Sequence, residues 1–352
     1  MAHTMHEVAL RAGVSTATVS RVLSKSPYIS AETIRRVMAA VDELNYHRNV
    51  HARRLAIGKS DLFGLVISEI ANPFFSEIIR GFQFEAWENG FDVLLLNTEY
   101  SAQRTQAVLR KLIENDVRGV AVFTSSLGDA AIETLTKDDI AVALATGAKS
   151  GRLVSTLSID YERGLSQAIE HVAAQGHRRA AVIAGPADNR TACTIAAALI
   201  DGLRRRGLSP SPIAHSAYNL DAAADAVKVM LSSRNTPTVI FCGSDLIAMG
   251  VMVALEQAGI DVPNDISVVG IDDISFSFLA RPPLTTIRVP REQLGQMAFK
   301  ALTHMLKPKR SRGAEYVVET ELVLRKSTAP ARTSQLRKKI DLLKKKATLE
   351  RN

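Results

Sequence analysis

Residues 4–23, TMHEVALRAGVSTATVSRVL, decide the fold of the N-terminal part of the chain. Thr4 and Glu7 have the spacing of a capping box, which predicts that a helix begins here. Gly13 is expected to end this helix in a left-handed turn, because glycine adopts that conformation without steric cost. The predicted buried face recurs at i, i+3, i+4, i+7 and comprises Met5, Val8, Ala9 and Ala12.

Two further helices follow at short intervals. Ser15 is the predicted N-cap of the second helix and Ser30 that of the third. The second helix is predicted to turn Val19, Val22 and Leu23 to the core. The predicted core stripe of the third comprises Ile34, Val37, Met38, Val41 and Leu44. Two short helices joined by a glycine turn and braced by a third are typical of a helix-turn-helix module; an ordinary three-helix surface subdomain is the alternative.

The outward face of the second helix carries small and hydrogen-bonding side chains beside one arginine. This face comprises Thr16, Ala17, Ser20 and Arg21. Such a face suits the major groove, where bulk is excluded and hydrogen-bonding groups distinguish the base edges. The face therefore favours the helix-turn-helix interpretation.

Positive charge is concentrated at both ends of the chain. Residues 1–60 contain nine Lys and Arg against four Asp and Glu, and residues 331–352 contain eight against two. The middle, residues 61–330, contains 27 against 30. Basic ends on a near-neutral body favour a polyanionic partner, although basic segments also aid solubility, and for the tail alone that second interpretation is preferred.

The stretch from Val8 to Leu23, which ends with AGVSTATVSRVL, resembles the headpiece of the LacI/GalR family of repressors. The resemblance implies that Thr16, Ala17 and Arg21 reach operator bases and that Thr18 and Ser20 lie near phosphates. The resemblance also includes the predicted helix caps, Thr4 and Ser15. The full set of headpiece residues expected at DNA is Thr4, Ser15, Thr16, Ala17, Thr18, Ser20 and Arg21.

The next segment, YHRNVHARRL at residues 46–55, matches the family's hinge, which becomes helical on DNA. By position, Leu55 is the leucine that family members insert into the minor groove, where an apolar wedge kinks the duplex. Arg48, Arg53 and Arg54 are expected to neutralise phosphates. Asn49 and Ala52 are also expected at DNA. The family usually has Pro where Arg48 stands, and the segment is equally interpretable as a solvated linker that orders on binding.

Beyond the hinge, apolar strands alternate with amphipathic helices. The predicted strands are 62–67, 91–96, 119–123, 140–145, 155–159, 179–184, 212–216, 238–242 and 267–271. The predicted helices are 75–89, 102–115, 130–137, 162–175, 192–206, 221–232 and 246–258; in the first of them Ile78, Ile79, Phe82 and Trp87 are expected to face inward. Two such sets predict an α/β body of two doubly wound parallel-sheet lobes, with a ligand cleft at the carboxyl ends of the strands.

The body also resembles the family, through an ordered set of landmarks that includes NPFF at 72–75, GSD at 243–245 and VVGIDD at 268–273. The resemblance implies a body like a periplasmic sugar-binding protein, dimerised side by side, with crossovers between lobes near residues 160, 289 and 322. The implied division is a headpiece at 1–47, a hinge at 48–60, a body at 61–330 and a basic tail at 331–352. Lobe 1 is expected at about 61–160 and 290–321, and lobe 2 at about 161–289 and 322–330.

The same match places the effector-binding residues. Phe74 and Phe75 are expected either to stack on an effector ring or to pack in the core. Asp272 is expected to grip a hydroxyl or ring nitrogen, and Asp160 is a weaker candidate that is also a helix cap. The expected effector-binding set is Phe74, Phe75, Asn189, Thr191, Tyr218, Ser244 and Asp272.

Ile195 departs from the family pattern, because many members have an arginine there that grips effector oxygens. An aliphatic side chain cannot replace a charged fork. Arg190 compensates only if its side chain points inward. Ile195 therefore predicts a less polar cavity, or a smaller ligand, than a standard hexose or purine would need.

Several classes of function are disfavoured. The chain has no phosphate-binding glycine loop and no Gly-x-Ser-x-Gly elbow, so neither a cofactor nor an enzymatic activity is expected. His177 lies in a turn where a capping role is preferred to that of a base. Two cysteines form no disulfide framework or zinc cluster. No signal peptide or membrane span is visible, which predicts a cytoplasmic protein without a membrane partner.

The sequence thus predicts a homodimeric, operator-binding repressor that a sugar-like metabolite controls. A regulator insensitive to ligand and a solute-binding protein are the alternatives. In the tail, Leu336, Ile340, Leu343 and Ala347 form one helical stripe. A frayed tail is preferred there, then an additional DNA contact, then pairing of dimers into a tetramer.

Overall fold

The computed structural model describes residues 3–23, 26, 28–46, 60–124, 127–145, 149–219, 222–232, 236–307 and 310–332. The chain divides into two compact units, Met1–Ser60 and Asp61–Asn352. Each unit has its own apolar core. The predicted tail stripe lies outside the described residues, so its three interpretations stay predictions.

The headpiece contains three helices, α1 (Met5–Ala12), α2 (Thr16–Leu23) and α3 (Ala31–Glu43). The predicted capping box is present, because the Glu7 backbone N–H donates to Thr4 Oγ1 and the Thr4 N–H donates to Glu7 Oε2 at 2.6 Å. Gly13 ends α1 with φ 63°. Ser15 Oγ accepts from the backbone N–H of Thr18 at 3.2 Å. These local predictions are confirmed.

The headpiece core is narrower than the sequence pattern predicts. Val8, Val19 and Val37 are fully buried, whereas Ile34 and Met38, both assigned to the core stripe, are 39% and 41% exposed. That part of the prediction is wrong. Two eight-residue helices cover only a narrow strip of α3, so side chains at the margins of its apolar face remain in contact with solvent.

The body contains two six-stranded sheets, one per lobe, and helices flank both. In lobe 1 the elements are β1 (Leu62–Ile67), α4 (Phe74–Glu88), β2 (Asp92–Asn97), α5 (Ala102–Glu114), β3 (Gly119–Phe123), α6 (Asp129–Lys137), β4 (Ala141–Leu144), β5 (Val154–Asp160), α12 (Arg291–Met305) and β11 (Glu315–Glu319). In lobe 2 they are α7 (Glu162–Ala174), β6 (Arg179–Ala184), α8 (Arg190–Arg205), β7 (Ser209–His215), α9 (Ala222–Ser232), β8 (Val239–Cys242), α10 (Asp245–Gln257), β9 (Ser267–Asp272), α11 (Ser275–Leu279), β10 (Thr285–Arg288) and β12 (Glu321–Val323).

The two sheets have corresponding strand orders. Lobe 1 has the order β11-β5-β4-β3-β1-β2 and lobe 2 the order β12-β10-β9-β8-β6-β7. Only the pairing of β10 with β12 is antiparallel among the strands described. The chain crosses between lobes after β5, after β10 and after β11, close to the expected residues 160, 289 and 322. In each sheet the strand order changes direction next to one strand, which is β1 in lobe 1 and β6 in lobe 2. At that point the carboxyl ends of neighbouring strands leave a crevice in which ligands bind in such folds.

Helix α4 packs against α12 through the buried side chains of Ile78 and Phe82. Phe82 and Phe299 meet edge to face, with ring centroids 5.6 Å apart. Trp87, which was predicted to face inward, is 79% exposed. It follows the buried Ala86 by one residue, or about 100° around the helix, and so lies off the buried stripe. Within the described part of the chain, no helix is long and apolar enough to cross a membrane.

Candidate functional site

The candidate DNA-binding face is the outer side of α2. Thr16, Ala17 and Arg21 are exposed, and Val19 and Val22 on the opposite side are buried. The Thr18 hydroxyl lies 2.9 Å from Ser15 Oγ. Within the described residues Arg21 forms no ion pair, so its guanidinium is available to a ligand. The predicted contacts at Asn49, Ala52, Arg53 and Leu55 lie outside the described residues.

A cavity of about 120 Å³ lies between the two lobes of the body, at the carboxyl ends of their strands. The structure brings all seven residues of the expected effector-binding set to its wall, together with Ile195. The lining residues are Ser68, Asn72, Phe74, Phe75, Tyr100, Phe123, Thr124, Ala145, Ile159, Tyr161, Asn189, Thr191, Ile195, Tyr218, Gly243, Ser244, Asp272 and Leu294.

Two of the predicted polar contacts are also helix caps. Asn189 Oδ1 accepts from the backbone N–H of Ala192 at 3.1 Å at the start of α8. Ser244 Oγ accepts from the backbone N–H of Ile247 at 3.2 Å at the start of α10. These bonds fix the two side chains at the cavity edge. The Asn189 amide donors and the Ser244 O–H are not consumed by the caps and can contact a ligand.

Aromatic side chains are concentrated in this cavity. The chain contains one Trp, six Tyr and eleven Phe, and three Phe and three Tyr line the cavity. Tyr100 of lobe 1 faces Tyr218 of lobe 2, with centroids 6.4 Å apart and planes tilted by 31°. A third of the aromatic rings therefore line one small space, which suits the faces of a ring-shaped ligand.

The tyrosine hydroxyls remain protonated near neutral pH. Burial raises the pKa of Tyr100 to about 12. Burial also raises the pKa of Tyr161 and of Tyr218, and the charge of Asp272 adds to the effect in both. The polar side chains of Ser68 and Asn72 partly offset the rise in the pKa of Tyr100. Each of these phenols can therefore donate a hydrogen bond as well as accept one.

Asp272 ends β9 and is the only Asp or Glu in the described lining. Its φ of 120° is unusual for a residue other than glycine. Burial raises the pKa of its carboxyl well above the ordinary value, and the nearby Asp245 carboxyl raises it further. Asp273 has a different environment, since its carboxylate pairs with Arg325 at 2.5 Å and Arg288 at 2.7 Å.

The described lining contains no Lys, Arg or His. Arg190, the possible substitute for an arginine at position 195, is exposed and does not line the cavity. The lining residues that the structure describes therefore provide no positive side chain to neutralise an anionic ligand.

Two weaker candidates have structural roles. Asp160 lies outside the cavity lining, and its Oδ1 accepts from the backbone N–H of Glu162 at 2.9 Å. His177 is buried, with Nδ1 2.8 Å from Thr238 Oγ1 and Nε2 3.0 Å from the carbonyl oxygen of Ala329. Burial lowers the pKa of His177, which keeps the ring neutral. The His177 side chain thus ties the end of the body to Thr238, just before β8, while its backbone N–H caps α7 by donating to the Val172 carbonyl oxygen at 3.2 Å.

The sequence prediction missed several lining residues that share one position. Ser68, Tyr100, Thr124, Ala145 and Tyr161 follow β1 to β5 at the carboxyl ends of the lobe 1 sheet. The predicted strand ends already contained the signal, because parallel doubly wound sheets bind ligands at that edge. Leu294 lies in α12, a helix that the sequence pattern does not predict. No strand-end position therefore points to Leu294.

Two family models match the chain. Residues 4–49 match the model for bacterial regulatory proteins of the lacI family, and residues 169–328 match a periplasmic binding protein-like domain. A transcriptional repressor named PurR from Photobacterium profundum is 31% identical, over 92% of this chain and 98% of the relative. The ribose operon repressor of Escherichia coli is 33% identical, over 86% and 93% respectively.

A comparison with a solved structure agrees with these relatives. A Lac repressor dimer bound to operator and the anti-inducer ONPF has a TM-score of 0.82 and 28% identity, and the match covers 94% of this chain and all of that one. The similarity therefore extends through headpiece and body alike. This chain belongs to the lacI family of bacterial regulatory proteins.

Proposed function

We propose that this protein is a transcriptional repressor that binds a palindromic operator as a homodimer, with an affinity that a small molecule in the inter-lobe cavity controls. The observation that carries the proposal is the presence, in one chain, of an exposed helix-turn-helix face and an aromatic cavity between two α/β lobes. A solute-binding protein needs only the second feature. The headpiece therefore disfavours that alternative.

The proposed operator contacts follow from exposure on α2. Thr16, Ala17 and Arg21 reach base edges in the major groove, where the Thr16 hydroxyl, the Ala17 methyl and the Arg21 guanidinium offer three different contacts. The hydroxyls of Thr18 and Ser20 lie near phosphates. Leu55 and Arg53 of the hinge complete the proposal, as a minor-groove wedge and a phosphate contact.

The proposed effector is a small, uncharged ring compound with hydroxyl or N–H groups, such as a sugar-like metabolite. Six aromatic rings line the cavity and suit a ring face, while Asp272, Asn189 and Thr191 provide the polar contacts at its edge. The absence of a basic side chain from the described lining disfavours phosphorylated sugars and sugar acids. Ile195 makes the wall at α8 apolar, so the ligand has an apolar edge there.

The proposed dimer uses exposed apolar side chains that each lobe carries. In lobe 1, Phe84 is 56% and Trp87 is 79% exposed on α4. In lobe 2, Phe276, Phe278 and Leu279 are exposed on and beside α11. Exposed aromatic side chains of this kind are enriched at protein interfaces. A side-by-side dimer covers both patches and pairs two recognition helices with two operator half-sites.

Selection of genomic fragments by the purified protein, repeated with a panel of sugars, sugar acids and nucleobases, tests this proposal. We expect an enriched palindrome whose binding one neutral compound changes. Arg21→Ala should weaken binding to that palindrome, whereas Arg35→Ala, which removes the same charge from α3, should have a much smaller effect. Thr16 substitutions should alter the selected half-site rather than weaken all sites equally.

The other outcomes are equally informative. A palindrome indifferent to every compound would support the alternative of a ligand-insensitive regulator, for which Ile195 is the specific observation. Binding of a compound without any enriched sequence would favour a solute-binding protein instead. An effector that proves to be a phosphate ester or a carboxylate would contradict the charge argument.

A further inference from the structure

Arg291, the first residue of α12, is a charged side chain in an unusual position. Only 3% of it is exposed. It lies directly after the second crossover between lobes, because β10 ends at Arg288 in lobe 2 and α12 packs in lobe 1. Neither the effector cavity nor the DNA-binding face includes it. A buried guanidinium is costly unless its donors are satisfied, so its contacts indicate its role.

The guanidinium contacts both lobes. Toward lobe 2, Nη1 donates to the carbonyl oxygen of Asp272, and Nη2 donates to that of Asp273 at 2.8 Å. Toward lobe 1, Nη2 lies 2.9 Å from Glu77 Oε2 on α4. Nε is buried and has no hydrogen-bond partner in the described part of the chain. One side chain therefore contacts both lobes beside the second crossover, in addition to the approach of Tyr100 to Tyr218 across the cavity.

Both ends of this bridge lie behind the wall of the effector cavity. Asp272 lines the cavity with its side chain while its carbonyl accepts from Arg291. Glu77 is three residues after Phe74, which lines the opposite side. Thus the same guanidinium binds the backbone of Asp272, whose side chain lines the cavity, and helix α4, which carries Phe74 on the opposite side of the cavity.

The backbone at the lobe 2 end is strained. Asp272 and Asp273 have φ values of 120° and 57°, in a backbone region that residues other than glycine rarely adopt. Such conformations persist only where the surroundings hold them. Two consecutive carbonyls bound by one rigid fork provide that restraint, and the restraint comes from the other lobe.

We propose that Arg291 is a positioning residue that couples the conformation of Asp272 to the angle between the lobes. The inference rests on the proposed function, since it treats the cavity as the effector site. Rotation of the lobes about the crossovers separates Glu77 from the Asp272 carbonyl, so the guanidinium must break its bonds on one side. Because unpaired buried donors are unfavourable, intermediate angles are disfavoured and two discrete arrangements result.

Distances between the lobes, measured without DNA or effector, test the inference. Spin labels are attached at Lys111→Cys on α5 and Ala198→Cys on α8, both exposed positions, in a Cys193→Ser background, and labelled chains are diluted with unlabelled protein. Pulsed electron paramagnetic resonance then gives the distance distribution. We expect one or two narrow peaks in the parent protein, and a single broad distribution that includes intermediate distances after Arg291→Met or Glu77→Ala.

Arg288→Met is the matched control. Arg288 lies three residues earlier and also binds Asp273, but its partners Asp273 and Glu321 are both in lobe 2. It should leave the distance distribution unchanged. Arg291→Lys keeps the charge but not the fork, and should give a distribution between those of the parent and Arg291→Met.

A purely structural role for Arg291 predicts a different result. In that case the variants lower the urea midpoint but keep the parent distance distribution, and the inference is overturned. Equal broadening by Arg288→Met would overturn it as well. If Arg291→Met does not fold, Glu77→Ala and Arg291→Lys decide. Operator binding that responds to an effector, with unchanged distances, would leave the proposed function intact and contradict only the coupling role.

Discussion

Three carboxyl groups near the end of β9 have three different environments. Asp272 faces the cavity, Asp273 pairs with two arginines, and Asp245 is fully buried. Asp245 accepts hydrogen bonds from Ser277 Oγ and Thr286 Oγ1, each at 2.5 Å, and from the backbone N–H of Ile274 at 3.0 Å. Burial raises its pKa to about 7 despite these donors. Similar residues thus have different chemistry because of their partners.

Asp245→Asn is expected to change how stability depends on pH. The folded protein binds more protons at Asp245 than the unfolded chain does between the ordinary value of 3.8 and about 7. The contribution of Asp245 to the free energy of unfolding is therefore greatest below this window, falls as pH rises through it, and is constant above it. Urea unfolding from pH 4 to 8 should show a smaller loss in the variant than in the parent protein, because the raised pKa of Asp272 contributes in both. Asp139→Asn, at an exposed site, should follow the parent profile.

Asp272→Asn is expected to weaken effector binding several-fold, because the amide replaces a carboxyl oxygen with an NH2 group and a typical hydrogen bond contributes roughly 0.5–1.5 kcal/mol. Asparagine tolerates positive φ, so the exchange should not add backbone strain. Titration calorimetry with the compound found in the operator screen measures the effect. Asp160→Asn, outside the cavity lining, is the control, and equal weakening by both variants would contradict a direct contact.

At the scale of elements, the α4–α12 pair depends on the absence of side chains at two positions. A Cβ on Gly81 would lie 2.2 Å from the Glu292 carbonyl oxygen, and one on Gly295 would lie 2.1 Å from that of Ile78. These are backbone contacts, which cannot move aside as a flexible side chain can. The two helices therefore pack closely only because both positions are glycine.

Gly81→Ala should force α4 away from α12 and destabilise the body by about 1–3 kcal/mol, the usual cost of overpacking. The free energy of unfolding in urea measures this. Gly151→Ala is the matched control, because no atom lies within 4 Å of the added Cβ and its φ lies outside the left-handed region. An unchanged stability of the Gly81 variant would show that the helices do not pack as described.

At the scale of the whole molecule, effector and operator are expected to influence each other reciprocally. If the effector changes operator affinity by some factor, the operator must change effector affinity by the same factor. The cavity between the lobes and the crossovers beneath it are the structural basis for two lobe angles. A dimer is expected to combine two headpieces, so its assembly is a condition for operator affinity.

Substitution of Trp87 and Phe84 with glutamate should disrupt the proposed dimer. Two charges at the centre of an apolar patch oppose association, because a buried unpaired charge is strongly unfavourable. Sedimentation velocity should show a shift toward monomer, and operator affinity should fall with it. Val229→Glu on α9, where valine is 60% exposed, is the control and should leave the dimer unchanged. A dimer that persists in the Trp87 and Phe84 variant would place the interface elsewhere.

Caps, a glycine turn and hydrophobic periodicity predict the helix-turn-helix and the order of most strands and helices, because these signals are local. The seven residues expected at the cavity wall come instead from the family resemblance. Between residue 271 and the tail, the pattern predicts no element. The strands β10 and β12 are too short to show a period, and α12 is buried on most sides around an internal glycine.

The exposure of Trp87, the approach of Tyr100 to Tyr218 and the position of Arg291 between the lobes depend on the folded structure as a whole. Tyr100 and Tyr218 lie 118 positions apart in the chain, and Glu77 and Arg291 lie 214 apart. Such pairs depend on how two sheets are placed by three crossovers, and no local pattern encodes that placement. Local propensities therefore specify the elements, whereas contacts between distant segments specify which side chains meet.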